Sequence, residues 1–409
     1  MLSRRFFGVK EACQCILFLK YSKIFTHASL RTINFSARRM STWRDEIHGS
    51  EVLFQHKMEV PVRGLIHLTS GCNTILKSKY NEDEPDRKDA IITIYGKEGH
   101  GKSIEELRKI VEKVNNFRNI IRYKFTGYPP ILRVDFPYLK KYKEELKNCT
   151  ALVVEVPYEY QIVAQVKGEA NIYMKDFENE YTSGYADLGN IELSKIKTVY
   201  AECFSGGDIV CRDSIHGSGH FWTMLDGGIY MKKLQGINFA LNSMNGDIKT
   251  ETVYCDDVVY TNEQGDVITG LVQSTGCHVE TENGNLKIDS VSCENLVGRI
   301  FKKGTMDFVV EKTKDMYIYH GEGGDVNLKI GPSVEMEMEV QSKSSSVSSQ
   351  IDFKQLEKYN DPVNKYMVTK GTRGAPTKKW LIENHHGHFA IDQGNWMDSL
   401  KLKIPNLNP

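Results

Sequence analysis

A glycine returns at a nearly fixed interval through the middle of the chain, and this spacing limits the folds open to it more than any other feature. Gly168, Gly189, Gly207, Gly227, Gly246, Gly265, Gly284, Gly304 and Gly324 lie 21, 18, 20, 19, 19, 19, 20 and 20 residues apart. The second and fourth residues after a mark are mostly apolar or small: Ile209 and Cys211, Ile229 and Met231, Ile248 and Thr250, Val267 and Thr269, Leu286 and Ile288, Met306 and Phe308, Val326 and Leu328. A period of two describes a strand with one buried face. A second strand precedes each mark, with inward candidates seven and five residues before it: Phe239 and Leu241, Val258 and Tyr260, Cys277 and Val279, Tyr317 and Tyr319. A third apolar position, Leu234, Val253, Val272 or Val291, lies twelve or thirteen residues before the glycine.

One unit thus holds three short strands and is too small to bury its own apolar face, so successive units must stack and cover one another. The corners agree: Gly207-Asp208, Asn245-Gly246-Asp247, Gln264-Gly265-Asp266, Asn283-Gly284-Asn285 and Gly324-Asp325 are turn-forming residues. The expected fold is mainly β, a three-sided parallel β-solenoid (β-helix) of about eight coils of 19–20 residues. An antiparallel sandwich would also give short strands and regular turns, but it does not require the same residue class at the same offset in every unit.

The remaining segments divide as residues 1–44, an N-terminal α+β cap over 45–150, the solenoid over 151–340, and a serine-rich loop with a C-terminal β cap over 341–409. Residues 1–44 hold nine basic residues against the single acid Glu11, with Phe6, Phe7 and Ile16 to Leu19 as an apolar component. That composition predicts a mitochondrial presequence and a matrix location. The apolar run around Cys15 to Leu19 is short of the ~20 residues that span a bilayer, and no transmembrane segment is expected. The full chain has no net charge, while the part after residue 44 carries 44 basic against 52 acidic residues, net −8. This balance gives no general pull toward nucleic acid. None of the nine cysteines is separated from another by two intervening residues, which gives no zinc-knuckle or thioredoxin-type motif, and Cys203, Cys211, Cys255, Cys277 and Cys293, within the solenoid, read as small buried apolar residues of a reducing compartment.

Between the first segment and the solenoid, short strands are expected from Val52 to Tyr95, then a helix. Ser103 with Glu106 forms a capping box, and Ile104, Leu107, Ile110, Val111, Val114 and Phe117 follow at helical spacing. A strand over 131–136, a charged helix over 137–148, a mobile serine-rich loop over Ser342 to Ser349, and strands over 363–370 and 379–403 complete the reading.

Gly96-Lys97-Glu98-Gly99-His100-Gly101-Lys102-Ser103 satisfies the P-loop pattern between a strand and a helix. In that reading Gly96 and Gly101 let the amides cradle phosphates, Lys102 reaches them and Ser103 holds magnesium. Against it, the chain has room for about one crossover unit before the solenoid begins, and Ser103 has a sufficient task as a helix cap. His385, His386 and His388 lack a companion set for tetrahedral metal binding. Gly217 and Gly219 keep His216 and His220 off a common helix face. Asp208, Asp247, Asp266 and Asp325 line one corner without the nonapeptide calcium pattern. Asp256 and Asp257, the candidates for a sugar-cleaving carboxylate pair, have only adjacency in their favour. No catalytic residue, cofactor or metal is assigned.

The first solenoid strand with Val156-Pro157-Tyr158, the recurring Gly-Asp-Ile and Gly-Asp-Val turns, and the tail from Lys379-Trp380 through Trp396 to Ser399-Leu400-Lys401-Leu402 resemble the adhesin-type β-solenoid family in its animal, mitochondrial branch. The similarity covers about residues 51–403. It implies the solenoid fold and a mitochondrial location, and it brings no catalytic residues. The helical insert from 103 to 121 and the Gly-Lys-Ser loop depart from the family pattern. The expected function is non-enzymatic, a protein-binding or scaffolding monomer, with nucleotide binding through residues 96–103 as the alternative.

Overall fold

The period-two alternation is realised as three ladders of parallel strands, each coil adding one rung to each ladder. The computed structural model describes residues 47–78, 88–99, 101–114, 121–124, 130–136, 149–331, 334, 336–351, 353–358, 363–368 and 379–394. On face A, which follows the glycine mark, Ile229, Ile248, Val267, Leu286, Met306 and Val326 are successive rungs of one inward column. On face B, Ile215, Leu234, Val253, Val272, Val291 and Val310 form a second. On face C, which leads to the next glycine, Phe239, Val258, Cys277, Leu296 and Met316 form a third. All of these side chains are buried. Each aliphatic or aromatic one contributes about 1.5–3 kcal/mol through the area it removes from water.

The expected inward residues hold on faces A and B, and on face C they hold for Phe239, Leu241, Val258, Tyr260, Cys277 and Val279 but not for the last pair. Tyr317 and Tyr319 point outward, and Met316 and Ile318 take the inward places because the turn leading to Gly324 holds one more residue than those before Gly246 and Gly265.

The glycines are fixed by close approach between coils. A Cβ on Gly227 would stand 2.1 Å from the Gly207 carbonyl oxygen, and one on Gly324 would stand 2.2 Å from that of Gly304. The residue after the glycine continues the corner. The Asn190 side-chain oxygen accepts from the Asp208 amide at 2.7 Å, Asp208 from Gly228 at 2.7 Å, Asp247 from Asp266 at 3.0 Å, Asp266 from Asn285 at 2.8 Å, and Asn285 from Thr305 at 3.0 Å. A buried polar column lies inside the same corner. Ser205 and Ser243 hydroxyls and the Asn262 amide donate to the glycine carbonyls of the preceding coil at 2.6, 3.1 and 2.8 Å.

Both ends of the stack are threaded out of chain order. Strand Asn73–Ser78 lies between Cys149–Val156 and the start of Ile172–Ala186 on face A. Strand Leu65–Ser70 lies between Ile131–Asp135 and Gln161–Val166 on face C. At the far end, strand Lys379–Gln393 follows Met336–Val347 in sequence but sits between it and the coil of Asp315–His320 and Val326–Ile330. The Ser342 to Ser349 segment is therefore no mobile loop. Through Val347 it belongs to the strand Met336–Val347, held by Lys379–Gln393, and Ser344 and Ser346 hydroxyls meet His388 at 2.9 and 3.1 Å.

Antiparallel strands finish the sheets. Asp89–Gly96 pairs with Cys149–Val156 and with Glu51–Glu59, and the hairpin of Phe353–Lys358 and Val363–Val368 adds to Met336–Val347. Helix α1, Ile104–Val114, packs on the outermost of these, Glu51–Glu59, with Ile104, Leu107 and Val111 buried and Arg108 reaching the Val52 carbonyl at 3.3 Å. Covering an edge in this way removes a template for unwanted strand pairing. The expected presequence, the helix over 137–148, Phe117, and the tail beyond residue 394 with Trp396 lie outside the described residues.

Candidate binding face

Side chains at alternate positions of face C point away from the core, and in three adjacent coils they are mostly aromatic. Strand registry sets Tyr181, Ser183 and Tyr185 beside Tyr200, Glu202 and Phe204, then beside Ser218, His220 and Trp222. Ala240 and Asn242 follow beside His220 and Trp222. The parallel in-register arrangement brings rings of equivalent positions together. Tyr181 and Tyr200 stack with centroids 6.4 Å apart and planes at 7°. Phe204 meets His220 edge to face at 5.7 Å and Trp222 at 6.0 Å, and His220 and Trp222 lie 6.4 Å apart.

Glu202 stands in the middle of this surface and accepts a hydrogen bond from the Tyr181 hydroxyl at 2.9 Å. Burial pushes the Tyr200 phenol up to about 12, with Glu202 adding to the effect. Burial and the same carboxylate raise the Tyr181 phenol. Burial also holds His220 below the usual imidazole range, although Glu202 pulls it the other way. The Asn242 side-chain nitrogen lies 2.8 Å from His220 Nε2, which orients the neutral ring as acceptor there. Glu202 is thus the one formal charge among these outward side chains at neutral pH.

Exposed apolar side chains also border this surface. Of the six large hydrophobic side chains exposed among the described residues, four border it: Leu188 (54%), Val199 (68%), Leu225 (43%) and Ile237 (56%). Leu188 and Leu225 stand at the corner with face A, and Val199 and Ile237 at the corner with face B. The sequence carries a signal for this face, aromatic residues at the outward positions of consecutive coils, but it emerges only once inward and outward registers are set side by side.

The other candidate residues lie apart from it. Gly96 ends a strand whose two neighbours, Glu51–Glu59 and Cys149–Val156, both run antiparallel to it, whereas a P-loop leaves a strand of a parallel sheet. The Lys102 amide donates to the Gly99 carbonyl at 3.0 Å and closes a tight turn with Gly101 at φ +76°. Ser103 and Glu106 exchange the two hydrogen bonds of a capping box, at 2.9 and 3.4 Å. His216 faces outward on face B and His220 on face C, so the two histidines do not meet. His385 and His386 are exposed at a corner, while His388 is held by Ser344 and Ser346. Asp208, Asp247 and Asp266 serve the corner ladder described above. Asp256 donates its backbone amide to the Ile237 carbonyl at 2.9 Å, at the corner where Asp257 begins the next strand. Among the described residues, no group of three His, Cys, Asp or Glu is placed to hold a metal ion. Cys203, Cys211, Cys277 and Cys293 are buried free thiols, and burial pushes the Cys211 thiol up to about 12, far from a reactive thiolate. No helix among the described residues is long and apolar enough to cross a membrane.

No curated protein matches the chain. Among solved structures, the chain is similar to a protein from Clostridium sporogenes titled "putative cell adhesion protein", at 8% identity over 84% of this chain and 100% of that one, with a TM-score of 0.19. The Toastrack DUF4097 family profile matches residues 147–392, more than half of the sequence and nearly all of the coils. The chain belongs to the Toastrack DUF4097 family.

Proposed function

We propose that the protein is a non-enzymatic binding module that holds a protein partner against the outer side of face C, and that it works in the mitochondrial matrix. The observation that carries the reading is the concentration of Tyr181, Tyr200, Phe204, His220 and Trp222 in three adjacent coils, bordered by four of the six exposed large apolar side chains among the described residues. Interface centres are enriched in Tyr and Trp and depleted in charge, and a few buried anchors carry most of the binding energy. A solenoid suits the task because its flat side is held rigid by the coils beneath, so little ordering is needed on binding. The mitochondrial part rests on the basic, acid-poor composition of residues 1–44.

Affinity isolation from mitochondria tests the reading, comparing the native chain with a Phe204→Ala, Trp222→Ala double variant and with Lys287→Ala on face A. The double variant is expected to lose the proteins that the native chain and the Lys287 variant retain. An unchanged set of captured proteins would count against face C.

A further inference from the structure

The charges of the coils that carry the aromatic surface are sorted to one side. The five segments that form face C and its two corners there, 179–190, 199–208, 217–228, 236–247 and 256–266, contain ten acidic residues and no lysine or arginine. The four segments between them, 191–198, 209–216, 229–235 and 248–255, run over faces A and B and contain six basic residues against three acidic ones. None of the ten acids is buried. Six of them accept hydrogen bonds from neutral donors, which leave the charge in place: Glu180 from Gln161, Asp187 from the Gly168 amide, Glu202 from Tyr181, Asp208 from the Gly228 amide, Asp226 from Asn245 and Asp266 from the Asn285 amide. Lys167 reaches this side from the preceding coil, over the Tyr185 ring at 5.6 Å and 3.9 Å from Asp187, and Lys249 reaches it from face A, 2.8 Å from Asp247. With both counted, ten acids stand against two cations, and the side remains strongly negative.

We propose that the protein partner docks on face C through a basic amphipathic helix, with its apolar side on Phe204, Trp222, Leu188 and Leu225 and its lysine or arginine side chains toward the acids of the two corners. The proposal rests on the reading of face C as the binding surface and names the chemistry of what it binds. Charge complementarity selects the sign of the partner, because an acidic segment would be repelled along the whole docking length. Backbone accounting selects the helix. The strands of face C already pair with one another on both sides, so a segment laid over them meets side chains only and must satisfy its own backbone groups, as a helix does. A helix rises about 5.4 Å per turn and strands lie about 4.8 Å apart, so a helix along the stack sets successive turns over successive coils.

The test uses the full chain and a fluorescent peptide of about four helical turns, with leucine along one side and lysine along the other, followed by anisotropy. The native chain is expected to bind it saturably, and a peptide with glutamate in place of every lysine to show no binding. The triple variant Asp187→Asn, Glu202→Gln, Asp226→Asn keeps the hydrogen-bond acceptors and removes the charges, and it should bind the lysine peptide at least tenfold more weakly. Glu178→Gln, Asp213→Asn, Glu251→Gln, which removes as many charges from face B and its corner with face A, should bind as the native chain does. Phe204→Ala, Trp222→Ala should also weaken the peptide at least tenfold, because the rings seat its apolar side. Equal binding by the native chain and the face C triple variant, or equal binding of the glutamate peptide, overturns the proposal. Such a failure, with partner capture still lost in the Phe204 and Trp222 double variant, would leave face C as the binding surface and remove only the basic helix.

Discussion

Gly246 packs directly on Gly227: a Cβ on Gly246 would stand 2.3 Å from the Gly227 carbonyl oxygen and 2.6 Å from the Gly228 nitrogen. Backbone cannot give way as a flexible side chain can, so adding even a methyl group must separate two coils. Gly246→Ala should cost about 3 kcal/mol, at the upper end of overpacking penalties. Gly101→Ala, where φ is +76° but nothing lies within 4 Å, should cost about 1 kcal/mol from backbone strain alone. Urea denaturation of the two variants measures the difference, and equal losses would show that close approach is not what selects the glycine.

The corner ladder depends on an oxygen and not on a charge. Asp266 accepts the Asn285 amide at 2.8 Å, so Asp266→Asn should keep the bond and change stability by less than about 0.5 kcal/mol. Asp266→Ala leaves that amide without its partner and should cost about 1–2 kcal/mol. Equal effects of the two substitutions in the same denaturation series would contradict the ladder.

How far this was legible in the sequence follows from which interactions are local. The inward positions could be read because Ile248, Val267 and Leu286 recur at one offset from a glycine. Tyr317 and Tyr319 were misplaced by one residue because a longer turn moved the glycine without moving the strand. The strand through Ser342 to Val347 could not be read at all, since its residues are polar and its partner arrives from Lys379 onward. The interleaving of 65–78 was hidden because its partners lie far along the chain, from Ile131 to Lys175. The binding face was hidden differently: Tyr200, Phe204, His220 and Trp222 look unremarkable one strand at a time and become a surface only across coils.

His220 makes part of the stability depend on pH. Its folded-state value lies below the unfolded one of about 6.5, chiefly through burial. A depressed value means that the unfolded chain takes up the proton first, so this contribution is present above about pH 6.5 and lost as the pH falls below it. The urea midpoint should therefore fall between pH 7.5 and pH 5.5. His220→Gln should narrow the fall without abolishing it, because His67 is lowered by burial in the same direction and remains. An identical fall in the variant would contradict the assignment.

The Gly96 to Ser103 segment is a turn and a helix cap in this account. ATP or GTP with magnesium should leave the melting temperature unchanged, whereas a ligand at 100 times its dissociation constant would add about 2.7 kcal/mol. Ser103→Ala should cost about 1 kcal/mol through the lost cap. A nucleotide-dependent shift that disappears in Lys102→Ala would restore the P-loop reading.

The most direct test of the central claim is site-specific photo-crosslinking in mitochondria, with the reactive residue placed at Ser183 on face C and, separately, at Asp307 on face A. Both positions point outward from well-paired strands, so the stack should tolerate either change. The account predicts a discrete crosslinked protein from Ser183, lost when Phe204 and Trp222 are alanine, and none from Asp307. A discrete adduct from Asp307, with none from Ser183, would contradict it.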